Sequence, residues 1–267
     1  MTTKTLPLSG PINLMGRIGR GSFTVAAQDG VTEATITLAA QAEGSDILER
    51  TTVELRGPTL VVSAPRQGGI FDLIGRNGER DAIDVSVVVP SGTAMKISTF
   101  TADVTITGRS GSADIACGSS SITVEHVDGD LRLRYGNGTA RVERVSGSVE
   151  ARSGSGNASF GDVGGSLTSA CGSGNLSASA VHGRVRSRAG SGTASIGAVY
   201  GDVDLASGSG GLTIGVPAGT TARLDVTTGS GEVQSELSID DAPRNKGRAI
   251  SVRARTGSGD VKLIRAA

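Results

Sequence analysis

Apolar and polar residues alternate along much of this chain, and between Met95 and Thr220 the alternation recurs every eighteen residues. Seven units of that length follow one another without a gap, and three of them read LRLRYGNGTARVERVSGS, VEARSGSGNASFGDVGGS and VRSRAGSGTASIGAVYGD. Alternation with a period of two is typical of a half-buried β-strand. Recurrence of the whole pattern at a fixed longer period indicates a repeat protein in which each unit stacks on its neighbours.

Five positions of each unit are predicted to face a shared interior. Numbered from the first residue of a unit, they are positions 1, 3, 10, 12 and 15. Position 1 holds, in order, Met95, Ala113, Leu131, Val149, Leu167, Val185 and Val203. Position 12 holds Ile106, Val124, Val142, Phe160, Ala178, Ile196 and Ile214, and position 15 holds Val127, Val145, Val163, Val181 and Val199. The residues between them are mostly polar, so each unit is expected to contain two strands with one face inward.

Glycine marks the corners between these strands. Position 17 is glycine in all seven units, at Gly111, Gly129, Gly147, Gly165, Gly183, Gly201 and Gly219. Position 6 is glycine in six units and position 8 in five, which gives the recurring GSG and GNG triplets. Because glycine adopts backbone conformations that other residues avoid, each unit is predicted to read strand, corner, strand, corner.

Stacked units of this kind predict an all-β protein, a single-stranded β-solenoid with eighteen-residue coils and parallel strands about 4.8 Å apart. We expect one continuous domain with three parts: irregular strands and an end cap over 1–94, regular coils over 95–220, and C-terminal rungs over 221–267. The last part contains two further rungs, LDVTTGSGEV and VRARTGSGDV, separated by the polar insert Ser238–Lys246. The segment Pro65–Asp81 is predicted to be a surface loop, or alternatively a partner-binding tip that presents Phe71, Leu73 and Ile74.

Composition and charge narrow the functional classes. The chain has 267 residues, with 26 basic and 26 acidic side chains, so its charge balance favours neither nucleic acid nor an anionic membrane. It has no run of eighteen apolar residues, and therefore no transmembrane segment is expected. The N-terminus lacks the pattern of a signal peptide, which predicts a cytoplasmic location. Cys117 and Cys171 occupy the same position three units apart, about 14 Å in a stack, so both thiols are expected to be reduced.

The common catalytic and metal-binding patterns do not fit this repeat. A phosphate-binding glycine loop needs a helix after the turn, whereas each GSG is followed by a second strand. A calcium-binding β-roll needs an aspartate two residues beyond the turn glycines, where this chain has Ala140, Ala158, Leu176, Ala194 and Leu212. The two histidines, His126 and His182, lie three units apart. We therefore expect no cofactor, no metal site and no enzymatic activity.

One acidic cluster keeps an enzymatic alternative open. The sequence EHVDGD places Glu125, His126, Asp128 and Asp130 around one corner, with Glu143 predicted one rung from Glu125. Two carboxylates about 5 Å apart would suit retaining glycoside hydrolysis. Arg141 and Arg144 flank Glu143, however, and favour a solvated lattice of surface ion pairs.

Two outward faces are the candidate interaction surfaces. On the first strand of the unit, outward arginines form a ladder that could bind an acidic polymer, or could be a solvated face with Glu150 and Asp204 nearby. The ladder consists of Arg132, Arg134, Arg152, Arg186 and Arg188. It lacks interleaved aromatic residues, so specific nucleic-acid binding is not expected. On the second strand, the small polar residues Thr139, Asn157, Asn175 and Thr193 form a flat array. Such an array suits self-association or carbohydrate contact, but it could equally be a solvated surface.

Three stretches carry a resemblance to a known family: VVVPSGTAMKISTFTADVTITG (Val87–Gly108), the recurring GSG rungs, and the closing TGSGDVKL. Across nearly its whole length the chain resembles the bacterial family usually called "putative adhesins" with β-strand repeats. The resemblance implies a right-handed β-helical scaffold, often linked to the cell envelope and without established enzyme chemistry. The expected function is a non-enzymatic structural or interaction protein that presents its polar and arginine faces to an unknown protein, an envelope polymer or itself. A carbohydrate-active enzyme and a binding module for an anionic polymer remain the alternatives.

Overall fold

The computed structural model describes residues 1–65, 81–237 and 249–266 of the chain. The predicted partner-binding tip with Phe71, Leu73 and Ile74 lies outside these residues, and so does the insert Ser238–Lys246. The described residues form two compact units, Met1–Gly138 (unit 1) and Thr139–Ala267 (unit 2). The all-β class is confirmed, because the only helix among the described residues is a single turn.

Unit 1 combines antiparallel and parallel strands. Its elements are β1 (Thr2–Pro7), β2 (Asn13–Gln28), β3 (Glu33–Ala40), α1 (Ile47–Arg50), β4 (Thr52–Arg56), β5 (Thr59–Ser63), β6 (Ala82–Pro90), β7 (Ala94–Ser110) and β8 (Ala113–Val127). β3 pairs antiparallel with β1 and β6, and β4 pairs antiparallel with β5. β2 runs parallel to β5, β6 and β7, and β7 runs parallel to β8. β9 (Leu131–Val145) begins in unit 1 and ends in unit 2.

Unit 2 is built from parallel strands in strict register. They are β10 (Val149–Val163), β11 (Leu167–Ser173), β12 (Leu176–Val181), β13 (Val185–Ser191), β14 (Ala194–Val199), β15 (Val203–Ser209), β16 (Leu212–Pro217), β17 (Thr221–Ser230), β18 (Val233–Ser235), β19 (Ala249–Ser258) and β20 (Val261–Ala266). First strands pair along the series β10, β11, β13 and β15, and second strands along β10, β12, β14 and β16. Paired Cα atoms are eighteen residues apart, as in Val149 with Leu167 and Leu167 with Val185.

The predicted inward positions form the core. At positions 1, 10 and 12 every residue of the seven units is buried, and Phe160 is the largest buried side chain of unit 2, with 1% of its surface exposed. The valines at position 15, including Val163, Val181 and Val199, are buried as well. Removing these aliphatic side chains from water is the main force that holds one rung on the next. Both cysteines are free, with Cys117 buried and Cys171 partly buried.

The C-terminal rungs stack in an order that differs from their order in the sequence. Both predicted rungs are present, one formed by β17 and β18 and the other by β19 and β20. β19 lies between β15 and β17, so that Val252 is opposite both Val203 and Leu224. β20 likewise lies between β16 and β18. The rung that comes later in the sequence is therefore the inner one, and β17 with β18 forms the outer rung.

Surface charge is consistent with this order. In the observed stack Arg253 lies between Asp204 and Asp225. Stacking in sequence order would place the two aspartates on adjacent strands, where directly opposed like charges destabilise a sheet. With β19 inserted, Arg253 forms an ion pair with Asp225 and its charge also attracts Asp204.

Candidate functional site

The arginine face of unit 2 consists of the outward side chains at positions 2 and 4 of its first strands. From β10 to the outer rung, position 2 holds Glu150, Thr168, Arg186, Asp204, Arg253 and Asp225, and position 4 holds Arg152, Ala170, Arg188, Ala206, Arg255 and Thr227. Because the strands are parallel and in register, neighbouring side chains in a column are about 4.8 Å apart. The repeat thus fixes the spacing of charge on this face.

Carboxylates accompany the arginines across the face. Arg152 lies 2.9 Å from Glu150, and Arg188 lies 2.6 Å from Asp204. Arg186 is 4.0 Å from the same aspartate. The hydrogen bond from Arg188 holds the pKa of Asp204 below its ordinary value, and the charges of Arg188 and Arg186 act in the same direction. The predicted ladder is therefore a lattice of mixed charge.

Ion pairs between arginine and aspartate continue in the two C-terminal rungs. Asp225 lies 2.9 Å from Arg253 and 3.5 Å from Arg255. The face carries five arginines, Arg152, Arg186, Arg188, Arg253 and Arg255, against three carboxylates, Glu150, Asp204 and Asp225. All of these pairs are largely exposed and contribute little to stability. What remains is a face with an excess of positive charge.

A shallow groove of about 710 Å³ runs across this face. Arg152 and Arg188 lie on its border. Between them in the same column is Ala170, which carries no charge. Its floor includes the stacked glycines Gly172, Gly190 and Gly208. A Cβ on Gly190 would lie 2.7 Å from the carbonyl oxygen of Gly172, so close stacking of the backbones requires glycine here. The same requirement leaves the part of the floor formed by these glycines without side chains.

The remaining predicted arginines belong to unit 1. Arg134 forms an ion pair with Asp114 at 2.7 Å, and Arg132 is exposed. The structure therefore brings Arg152, Arg186 and Arg188 together on one face of unit 2. The interaction role of all five arginines stays a prediction.

The predicted polar array has a structural use that the sequence analysis missed. The side-chain oxygen of Asn157 accepts a hydrogen bond from the backbone N–H of Asn175, at 2.9 Å. Asn175 in turn accepts from the N–H and the hydroxyl of Thr193, at 3.0 and 2.8 Å. Each side chain thus satisfies a backbone donor of the next rung at a corner, while Thr139 is exposed. The signal was the asparagine or aspartate at position 9 of three units, Asp103, Asn157 and Asn175.

A second ladder of the same kind occupies the other corner. Ser148 Oγ accepts from the N–H of Ser166, and Ser166 Oγ accepts from the N–H of Arg184, at 3.1 and 3.2 Å. Asp202 continues the series by accepting from the N–H of Ser251 at 3.0 Å. That bond, with the neighbouring Arg184, lowers the pKa of Asp202. At these corners of unit 2, the side chains of Ser148, Ser166 and Asp202 each accept a hydrogen bond from the next rung of the stack or from the rung that follows it in space.

The repeated register and glycine corners agree with a comparison of the whole sequence. A protein-family model described as Toastrack DUF4097 matches residues 18–266. This chain belongs to the Toastrack family. The assignment confirms the predicted resemblance to a bacterial adhesin-like domain of unknown function. It also fits a solenoid-like stack of β-rungs.

Solved structures similar to this Toastrack chain include a "putative adhesin" from Parabacteroides merdae ATCC 43184. It is 12% identical, with 99% of this chain and 96% of that chain covered and a TM-score of 0.43. Another is a "putative adhesin" from Bacteroides fragilis NCTC 9343, 14% identical, with coverage of 98% and 96% and a TM-score of 0.37. A search of curated proteins found no match. No helix within the described ranges is long and apolar enough to cross a bilayer.

The acidic cluster of this Toastrack chain is held by local partners. In unit 1, Asp128 lies 3.3 Å from the Nε2 atom of His126 and 3.6 Å from Arg109. Glu125 accepts a hydrogen bond from the backbone N–H of Gly108. Glu143, which the sequence analysis placed beside Glu125, belongs to unit 2 and is exposed. Within the described part of the chain, no group of three or more His, Cys, Asp or Glu side chains could hold a metal ion.

The second histidine lies in a small surface cluster of unit 2. His182 Nε2 is 3.0 Å from Asp162, and its ring stacks on Tyr200 with centroids 4.8 Å apart. Arg144 approaches the same aspartate at 3.8 Å. Stacking on Tyr200 and the hydrogen-bond contact with Asp162 together hold the imidazole in place at the surface of unit 2.

Proposed function

We propose that this chain is a non-enzymatic, adhesin-like interaction scaffold, and that the arginine face of unit 2 binds an acidic polymer of the cell envelope. The observation that carries the proposal is the groove bordered by Arg152 and Arg188. The proposal includes the finer architecture, in which each repeat is one eighteen-residue coil of a right-handed β-helix. The register of eighteen residues supports that coil length, and the right hand is what the resemblance implies.

The geometry of the groove suits an extended chain better than a compact ligand. It is open and shallow, and glycines on its floor allow a polymer backbone to approach the sheet. Arg152 and Arg188 lie two rungs apart, which is roughly 10 Å at the usual strand spacing. A polymer with carboxylate or phosphate groups at a similar spacing would meet both guanidinium groups, which bind such groups through paired hydrogen bonds.

The charge of the face supports an anionic partner. Five arginines and three carboxylates leave two positive charges in excess, and the arginine side chains are largely exposed. An acidic polymer would compete with Glu150 and Asp204 for the same arginines. Binding would therefore be reversible and sensitive to salt.

Two local features support a scaffold that has no catalytic activity. The carboxylates Asp128 and Asp204 are engaged with basic neighbours and are thus poor candidates for general acid or base chemistry. Asn157 and Asn175 serve the backbone of the next rung. These residues have structural uses that need no substrate.

The test is direct binding of the full chain to defined polymers. Polygalacturonate and polyphosphate are the anionic probes and neutral dextran is the control, with affinity measured by calorimetry at low and high sodium chloride. The double variant Arg152→Gln, Arg188→Gln should lose about tenfold in affinity, since each exposed charge pair contributes about 0.2–1 kcal/mol. Arg144→Gln removes an equally exposed arginine away from the face and should bind like the wild type.

Three outcomes would contradict the proposal. They are binding that does not weaken with salt, equal loss of affinity in the control variant, and no binding to either anionic polymer. Product analysis by gel filtration adds a further check. Shortening of polygalacturonate by the chain would show catalysis and exclude a pure scaffold.

A further inference from the structure

The outer rung of unit 2 is the last rung in the stack of described strands. Among the described residues β17 has one neighbour, β19, and β18 has one neighbour, β20. Leu224 of β17 is 39% exposed and Val233 of β18 is 49% exposed, although both occupy inward positions. In the same column as Leu224, Val203 and Val252 are 2% and 0% exposed. An open strand edge with apolar side chains is a template for pairing with another chain.

The charges next to this edge indicate which partner fits it. Position 2 alternates in sign along four successive strands, from Arg186 through Asp204 and Arg253 to Asp225. Asp225 is exposed and ends the series, so the next strand should place a positive charge opposite it. β17 itself carries such a charge two residues away, at Arg223.

We propose that a second copy of this chain docks on the outer rung, with the two β17 strands antiparallel and centred on Leu224. In this register Arg223 of each copy lies opposite Asp225 of the other. The alternation of charge sign therefore continues across the interface at two symmetry-related pairs. Leu224 meets Leu224, and Ala222 meets Val226 of the second copy, so apolar residues cover one another. The arrangement is a closed two-fold interface, the commonest form of association among soluble oligomers.

The charges select this register among those that keep apolar residues on one face. Moving the centre by one residue toward Arg223 places two arginines opposite each other. Moving it by one residue toward Asp225 places two aspartates opposite each other. Like charges directly opposed destabilise a strand pair, whereas opposite charges stabilise it. The inference goes beyond the proposed function because it concerns the end of the stack and does not involve the groove.

Sedimentation velocity of the full chain across a concentration series tests the association. We expect a monomer–dimer equilibrium in which Arg223→Asp raises the dissociation constant about tenfold, because it replaces two attractive pairs with two repulsive ones. Arg144→Asp changes another exposed arginine of unit 2 and should leave the constant unchanged. A chain that stays monomeric at every concentration would overturn the inference, as would equal weakening by the control.

Cysteine cross-linking tests the register independently of the charges. In a background with Cys117→Ala and Cys171→Ser, Leu224→Cys should form an intermolecular disulfide under mild oxidation, since directly opposed residues have Cα atoms about 4.5–5.5 Å apart. Ala222→Cys and Val226→Cys should cross-link only when the two variants are mixed. Val233→Cys, equally exposed at the same end, is the control and should stay unlinked.

Circular dichroism melting curves establish that each cysteine variant is folded before oxidation. Cross-linking of Val233→Cys at the rate of Leu224→Cys would show random collision and overturn the register. Cross-linking of Ala222→Cys alone would do the same. Binding to polygalacturonate is measured separately, so a failure here leaves the groove proposal intact.

Discussion

The middle and outer rungs of unit 2 share one sequence rhythm but differ in burial. Leu167 in the middle and Leu224 in the outer rung occupy the same column, and their exposed fractions are 0% and 39%. The middle residue has a strand on each side, while the outer one has a single described neighbour. Alternation therefore predicts which way a side chain points, whereas its burial depends on what stacks above and below it.

The largest expected contrast comes from removing a leucine in each region. Leu167→Ala should lower the free energy of unfolding by about 2–5 kcal/mol, because it leaves a cavity between two rungs. At protein concentrations low enough to keep the chain monomeric, Leu224→Ala should cost less than about 1 kcal/mol, because the side chain is then partly in water. Urea unfolding followed by circular dichroism measures both. Equal losses would show that the outer rung is covered in solution.

Corner glycines should give the next largest effect. Gly192 has φ +132°, and a Cβ there would lie 2.0 Å from the carbonyl oxygen of Gly174, so Gly192→Ala should cost about 3 kcal/mol. Gly219, at the corner that leads into the outer rung, has φ +76° and open space around it. Gly219→Ala should therefore cost only the backbone strain, about 1–2 kcal/mol. Thermal melting of both variants gives the comparison, and a milder effect at Gly192 would contradict the close stacking.

The asparagine ladder should contribute a smaller amount in the middle rungs. Asn175→Ala leaves the backbone N–H of Thr193 without its side-chain acceptor and should cost about 1–2 kcal/mol. Ser177→Ala changes an exposed residue two positions away and should stay within about 0.5 kcal/mol of the wild type. Denaturant midpoints distinguish the two. Identical midpoints would remove the structural role given to Asn175.

The smallest expected effect is the pH dependence of stability at the contact between the β15 rung and the β19 rung. The pKa of Asp202 lies below its ordinary value of 3.8, first because of the bond from Ser251 N–H and then because of Arg184. Its stabilising contribution is thus complete above pH 3.8 and is lost as the pH falls through the lowered pKa. Asp202→Asn keeps an acceptor oxygen but removes the titration. Its melting temperature should fall less than that of the wild type on acidification, and parallel curves would contradict this.

Much of the repeat could be predicted from the sequence, because its eighteen-residue period equals the offset between paired residues on neighbouring strands. The inward columns that include Val149, Phe160 and Val163 follow directly from alternation, and all three residues are buried. The order of the C-terminal rungs could not be predicted in this way, because pairing across 49 residues, as between Val203 and Val252, has no local signal. The charges at position 2 can be identified from the sequence. Their alternation in sign appears only when the strands are placed in the order of the stack.

The candidate site was predicted in outline only. The sequence placed Arg152 and Arg188 on one outward column, and the structure has both on the border of one groove. It also placed Glu150 and Asp204 near the arginines but did not predict which arginine each would contact, because that depends on side-chain conformation. Asn175 was predicted to belong to an interaction surface. Its hydrogen bond at the corner could not be predicted, because the sequence does not show which backbone N–H groups a corner leaves without a backbone acceptor.

The inserted position of β19 has a consequence for how the chain folds. β17 is synthesised before β19, yet in the native stack it rests on β19. A growing chain folds from its N-terminal side, so β17 reaches the exposed edge of β15 while its native support does not yet exist. Docking there would oppose Asp225 to Asp204. That repulsion, about 1 kcal/mol or less, disfavours premature pairing of β17 with β15 and so favours the native order.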